Sequence, residues 1–443
     1  MQRALALDAS PPLSYALRFF VTAPAYVLLT ALVLIDAGPL ALASRWQPAI
    51  LAATHLLALG AIAQTMFGAL LQIMPVATGI RVFQGPWRVS LIHLSLNLGT
   101  LCLAIGFLTY QPGFFLWASG LLAISFSVFL LSVIWALWRD RKRRTKGAPT
   151  ILMAIRLAIL SLITALLLGL FLSTHLGLGD FVERRWTNLH AAWALFGWIG
   201  LLVIGISFQV IPIFQVTERY PDLITRWLAP ILFIILLVLS YALIQHQAWQ
   251  WAVVPISGFA LYAWVSLKLL HHRKRPKADT TTVFWRCAFS CLILALPMWL
   301  ILVSGFLPSL HNQFKVILGA LALLGFAWSA INGMLYTILP FLFWFNAQRN
   351  APIVIRALPR VSRYLPDEKA RPQFYAHCAA LVFLLCAFFW PQVFFYPALL
   401  LLILSVLWLY KNIVLAIQTY RSALILIQTT VAERNRAETL AQS

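Results

Sequence analysis

The chain has 443 residues, of which 62% are hydrophobic and 10% charged, with a formal net charge of +21 and a mean hydropathy of +0.87. A soluble domain carries about 25% charged residues, so a soluble globular enzyme is excluded, and apolar runs that are continuous rather than alternating exclude a β-barrel. The positive charge does not point to nucleic acid, because the basic residues sit in short connectors and no nucleic-acid-binding module is present.

The first residues, Met1–Ser14, are charged and contain proline, and they lead straight into a long apolar run; no cleavable signal peptide is expected. Runs long enough to cross a hydrocarbon core of roughly 30 Å then recur along the whole chain. Twelve membrane spans are expected, at about 18–40, 49–75, 88–110, 113–138, 151–174, 187–214, 226–246, 249–270, 283–307, 312–345, 373–391 and 394–420. The breaks carry turn and charge signals such as "YQPG", "RDRKRRTKGAP", "HHRKRPK" and "WPQVFFYP". The expected fold is an all-α polytopic membrane protein.

Of the 33 Lys and Arg residues, 29 fall before span 1, after even-numbered spans or at the C-terminus. Only Arg45, Arg184, Arg185 and Lys315 follow odd-numbered spans. Positive residues are retained on the cytoplasmic side, so both termini are expected in the cytoplasm. The basic runs Arg139–Lys146 and Arg273–Lys277 then serve as retention signals and contacts for anionic lipid.

One phrase returns three times: "GALLQIMP" (Gly68–Pro75), "GISFQVIP" (Gly205–Pro212) and "GMLYTILP" (Gly333–Pro340). The copies end spans 2, 6 and 10, four spans apart. A signature on every fourth helix implies three pseudo-repeated four-helix units, at about 15–140, 150–272 and 283–420, within a single transmembrane domain covering 1–443. In each unit the glycine admits a neighbouring helix and the proline ends or kinks the second helix. The polar segment 421–443 is expected to be a cytoplasmic tail, extending the last helix.

Twelve helices in three four-helix arcs resemble subunit I of the haem-copper oxidases. The stretch "NLHAAWALFGWIGLLVIG" (Asn188–Gly205) is also similar to the "WHAHEMLFG" signature of the NnrS family, a haem-copper-oxidase-like membrane group linked to nitric oxide and nitrosative stress. His190, Ala191, Leu195, Phe196 and Gly197 match it, whereas Ala192 and Trp193 stand where it has histidine and glutamate. The resemblance implies a multi-pass protein of the bacterial inner membrane that binds haem, with copper as a second metal and a respiratory or electron-transfer partner. It does not imply oxygen reduction. Oxidases need two adjacent histidines on helix 7 and a further pair on helix 10. Span 7, "WLAPILFIILLVLSYALIQH", has no adjacent pair, and span 10 has only His311, at its start.

Nine histidines are present, and a histidine in lipid is costly unless paired or ligated. His55 lies 20 residues before Pro75 and His190 lies 22 before Pro212, which places both near the outer ends of equivalent helices. Neutral imidazole suits haem iron or copper, so His55 and His190 are candidate haem and metal ligands; the alternative is a histidine bonded to water or a carbonyl at the interface. His93, four residues before Asn97, is a third candidate haem ligand, or else a bonding partner for Gln72 or another helix. His175 and His311, at the outer face, are candidate metal ligands or interfacial residues. His377 is expected at the interface, His246 at the outer end of span 7, and His271 and His272 in solvated basic sequence.

The five cysteines lie in or near spans and form no extracellular disulfide framework. Cys287 and Cys291 share a helix face, a spacing open to a soft metal or to simple packing. All twelve carboxylates lie in connectors, termini or span ends. Proton- and cation-coupled carriers usually hold ionisable groups in mid-membrane, which counts against transport. Trp193 and Trp198 are candidates to pack on a porphyrin. No phosphate loop, dinucleotide fingerprint, covalent haem attachment motif or Ser-His-Asp pattern occurs. Three functions stay open: a haem protein with a redox or nitric-oxide role, a cofactor-free permease, and an assembly or scaffold protein of a respiratory complex.

Overall fold

The computed structural model describes residues 10–82, 85–141, 149–246, 249–350 and 358–442. The start of the chain before residue 10, the basic run from residue 142 to Lys146 and the His246 side chain lie outside the described residues.

Every regular element among the described residues is helical. Eleven helices are long and apolar enough to cross a membrane: α1 (Leu13–Ala37), α2 (Pro48–Val76), α3 (Pro86–Thr109), α4 (Pro112–Arg139), α5 (Pro149–Leu178), α6 (Arg184–Phe214), α7 (Asp222–Gln245), α8 (Trp249–His271), α9 (Thr280–Ser304), α10 (Pro308–Arg349) and α12 (Pro391–Glu433). Twelve spans were expected. One further long helix among the described residues, α11 (Asp367–Ala387), forms at the expected place but opens with Asp367, Glu368, Lys369 and Arg371, and this polar opening leaves too short an apolar stretch to count with the eleven. Helix α12 runs on without a break to Gln442, through the segment expected as a tail.

Starts and stops follow local chemistry. Proline opens α2, α3 and α4, where its missing N–H is no loss. Gly38 and Gly305, both at positive φ, close α1 and α9. Asp279 caps α9 through the Thr282 amide, 2.8 Å away.

Three helices form the inside. In the most apolar stretch of α2, α6 and α10, 78%, 67% and 72% of residues are buried, against 17–50% in the other candidate spans. The three inner helices touch one another through Phe67 and Trp198 (6.3 Å between ring centroids) and Phe214 and Phe341 (5.9 Å). The other nine pack around them. The ring closes where α12 returns to α1, with the Tyr410 hydroxyl donating to the Val21 carbonyl at 3.2 Å. The face where α1 begins also receives the ends of α2 and α10, since Gln72 and Arg349 both donate to Ser10. We call this the basic face.

Each inner helix contains a π segment of eight residues, Leu56–Ala63 in α2, Trp193–Gly200 in α6 and Leu321–Trp328 in α10, and α2 ends in a second, Met74–Thr78. The wider π turn is uncommon and recurs at functional sites. Each eight-residue segment has glycine at its fifth position, Gly60, Gly197 and Gly325, and a second glycine eight residues on, Gly68, Gly205 and Gly333. All six are places where another helix presses in. A β-carbon would collide with Tyr26 at Gly60, would lie 2.6 Å from Ser161 at Gly197, and 2.8 Å from Cys291 at Gly325. At the second glycines the neighbours are Phe19, Ala154 and Phe284, at 2.9, 2.5 and 2.6 Å. The pressing residues lie on α1, α5 and α9, seven apart in every case.

Candidate functional site

His55 lies on the second turn of α2, just before its first π segment, and His190 on the second turn of α6, three residues before its own. Both sit towards the face opposite the basic one. Their rings come together with centroids 6.4 Å apart and planes within 16° of parallel. The surroundings hold each ring in place. His55 is flanked by Phe107 of α3 at 5.1 Å. His190 lies against α5 at Gly169, where a β-carbon would come within 3.0 Å of its Cε1.

The hydrogen bonds settle the tautomers. His55 Nδ1 faces the Leu51 carbonyl at 2.8 Å, and His190 Nδ1 faces the Ala165 carbonyl at 3.0 Å. A carbonyl only accepts, so each Nδ1 carries the proton and donates it. Each Nε2 is therefore left with a lone pair. This is the arrangement by which proteins orient an imidazole for metal binding, with the second ring nitrogen donating to a carbonyl. Two imidazoles on opposite sides of one metal ion, with bonds of about 2 Å, place their ring centroids roughly 6 Å apart.

Three cations gather around the start of α6. Arg45, in the α1–α2 connector, donates to Asn188 Oδ1 at 2.6 Å, two residues before His190. Arg184 opens α6, and both guanidinium groups lie over the Trp46 ring, at 4.5 and 5.8 Å. Lys315 of α10 is within electrostatic reach of both. Burial, and then the nearby Arg184 charge, hold the Arg45 guanidinium below its ordinary range. Its Nε is buried without a partner. Among the described residues none of the three is in an ion pair. A cluster of like charge with an orphaned donor is complementary to an anion.

The other candidate histidines lie elsewhere. His93 Nε2 is 3.0 Å from the Thr22 hydroxyl, and Phe19 meets its ring edge-on. Asn97, one turn on, bonds Gln64 rather than Gln72. His175 pairs with Asp180 at 2.8 Å in the α5–α6 connector. His311 packs beside Trp249 at 5.9 Å. Among the described residues no three His, Cys, Asp or Glu side chains gather as a metal-binding group, so His175 and His311 do not join the pair. Trp193 donates to Ser240 at 3.0 Å. His271 and His272 are exposed on the basic face.

His377 differs from its expected interfacial place: it is fully buried among α9, α10 and α11. Its Nε2 is 2.7 Å from the Ser329 hydroxyl. Beside it runs a buried polar network that sequence reading did not assemble. Gln373 donates to Ser405 at 2.8 Å and accepts from Tyr336 at 3.3 Å, and Asn412 donates to Tyr336 at 2.9 Å. The polar residues of α11 at i, i+4 (Gln373 and His377) were the available signal.

One cavity lies among the ends of α2, α6 and α10 towards the basic face. Its lining is apolar apart from Ser10, Gln72 and Gln209. Compared with known proteins, the chain matches no family model and no curated protein.

Proposed function

We propose that this is an integral membrane haem protein in which His55 and His190 are the two axial ligands. The parallel imidazole pair, 6.4 Å between centroids with both Nδ1 atoms committed to carbonyls, is the observation that carries the reading. The donor set fits haem in a second respect. Haem is a planar metal macrocycle that bears two carboxylates, and Arg45, Arg184 and Lys315 supply unpaired positive charge around the start of α6, the helix that carries His190. Held by His55 and His190, a haem would supply reversible one-electron transfer. The protein's part is to hold the rings, fix their tautomers and keep them in an apolar setting. The resemblance to the NnrS family adds a role in nitric oxide or nitrosative stress. Copper held by the same two nitrogens is the variant of this proposal without a porphyrin.

The proposal extends to architecture. Three four-helix units, each with its first helix pressed into two glycines of its second, account for the repeated contacts of α1 with α2, α5 with α6 and α9 with α10. Helix α11 is then a twelfth crossing, its polar residues turned to α10 and α12. Both termini lie in the cytoplasm of a bacterium and the chain in its inner membrane, in keeping with the charge bias. A permease is favoured less, because the cavity among the inner helices is lined by apolar side chains.

The test is to purify His55→Ala and His190→Ala from cells supplied with haem. Each substitution removes or shifts the haem absorption of the parent protein. Haem spectra unchanged in both would overturn the assignment.

A further inference from the structure

A second group of soft donors lies between α9, α10 and α11, remote in sequence from the histidine pair. Cys287 Sγ of α9 and Cys378 Sγ of α11 are 3.9 Å apart. Cys287 Sγ is also 3.9 Å from the Ser329 hydroxyl of α10. Cys291, one turn along α9, lies against Gly325 of the π segment. Cys287 and Cys378 are part-buried.

The neighbouring His377 has an unmet need. Ser329 donates its hydroxyl proton to the Leu324 carbonyl at 3.2 Å. The same hydroxyl is 2.7 Å from His377 Nε2. His377 Nδ1 is fully buried and without a partner. The imidazole is close enough to Cys287 for the two to interact electrostatically. A buried nitrogen left unpaired near a thiol is a cost that packing alone does not explain.

We propose that Cys287 and Cys378 form a binding site for a soft monovalent cation, Cu(I). Thiolate sulfur selects Cu(I) among biological metals. Zinc would want four ligands, and among the described residues no group of three is formed. Two metal–sulfur bonds of about 2.3 Å span up to roughly 4.6 Å, so sulfurs 3.9 Å apart need little movement. Binding one Cu(I) releases the two thiol protons to solvent. The site does not depend on the haem reading, since it shares no residue with it.

The experiment is anaerobic titration of the detergent-purified protein with Cu(I), in competition with the chromophoric chelator bicinchoninate. The full-length protein takes one equivalent, and Cys287→Ser or Cys378→Ser abolishes it. Sulfur scatterers in the copper X-ray absorption spectrum of the parent protein give a readout that needs no variant. A protein that takes no copper from the chelator, serine variants that keep the full equivalent, or a copper site with only nitrogen and oxygen neighbours would each overturn the proposal.

Discussion

His55 and His190, on two different inner helices, stand with their rings 6.4 Å apart and 16° from parallel, each anchored by Nδ1 on a backbone carbonyl. Neither carbonyl belongs to a loop. One is Leu51, on the same helix a turn earlier; the other is Ala165 on α5, reached because Gly169 lets the His190 ring lie against that helix. The pair is thus set by helix packing, and both nitrogens that face away from the carbonyls are free to bind a metal.

The rim cations should govern how long a haem is retained and leave its ligation alone. Replacing Arg45 and Arg184 together with Ala removes two charges around the start of α6. Charge-assisted hydrogen bonds contribute about 1.5–3 kcal/mol each, so haem transfer to apomyoglobin should speed up by at least about tenfold, with band positions unchanged. An unchanged transfer rate would separate these residues from the cofactor.

Glycine contacts on the inner helices should be sensitive to a single methyl group. Gly197→Ala places a carbon 2.6 Å from Ser161 Cβ, which has no long side chain to yield. Overpacking of this kind costs about 1–3 kcal/mol. Gly120→Ala, with nothing within 4 Å, should be neutral or stabilising by up to about 1 kcal/mol. The temperature at which each detergent-solubilised variant loses its single size-exclusion peak reads the contrast.

How much of this could be seen in the sequence differs by feature. Spans are legible because lipid demands continuous apolar helix, and α11 fell short of the candidate set because its first turn is charged. Equivalent positions near the ends of spans 2 and 6 singled out His55 and His190, but offsets of 20 and 22 residues before the prolines hid that the rings meet. The π segments were not visible, since a wider turn leaves an all-apolar pattern unchanged. Their trace is in glycine pairs eight apart, Gly60 with Gly68, Gly197 with Gly205 and Gly325 with Gly333, the second of each being the glycine that opens the repeated phrase. His377 was misplaced because position along a span tells depth, and the contact that buries it comes from Ser329 on another helix.

The network in the last unit should contribute to stability without touching the cofactor. Gln373→Leu leaves Ser405 and Tyr336 without their shared partner. Interhelical hydrogen bonds in membranes are worth about 1 kcal/mol, so the variant should unfold a few degrees earlier with an unaltered absorption spectrum. A spectral shift would place Gln373 in contact with the haem.

Orientation can be read by labelling. Phe181 in the α5–α6 connector and Glu218 in the α6–α7 connector are both exposed. With a membrane-impermeant maleimide, Phe181→Cys should label in intact spheroplasts and Glu218→Cys only after lysis. The reverse pattern would put the basic face outside.

The most direct test of the account is the visible spectrum of the purified full-length protein, oxidised and then reduced with dithionite, with metal content measured on the same sample. Haem held by His55 and His190 predicts about one iron per chain, a Soret band, and sharp α and β bands on reduction. A colourless, iron-free protein from cells supplied with haem and copper would contradict it.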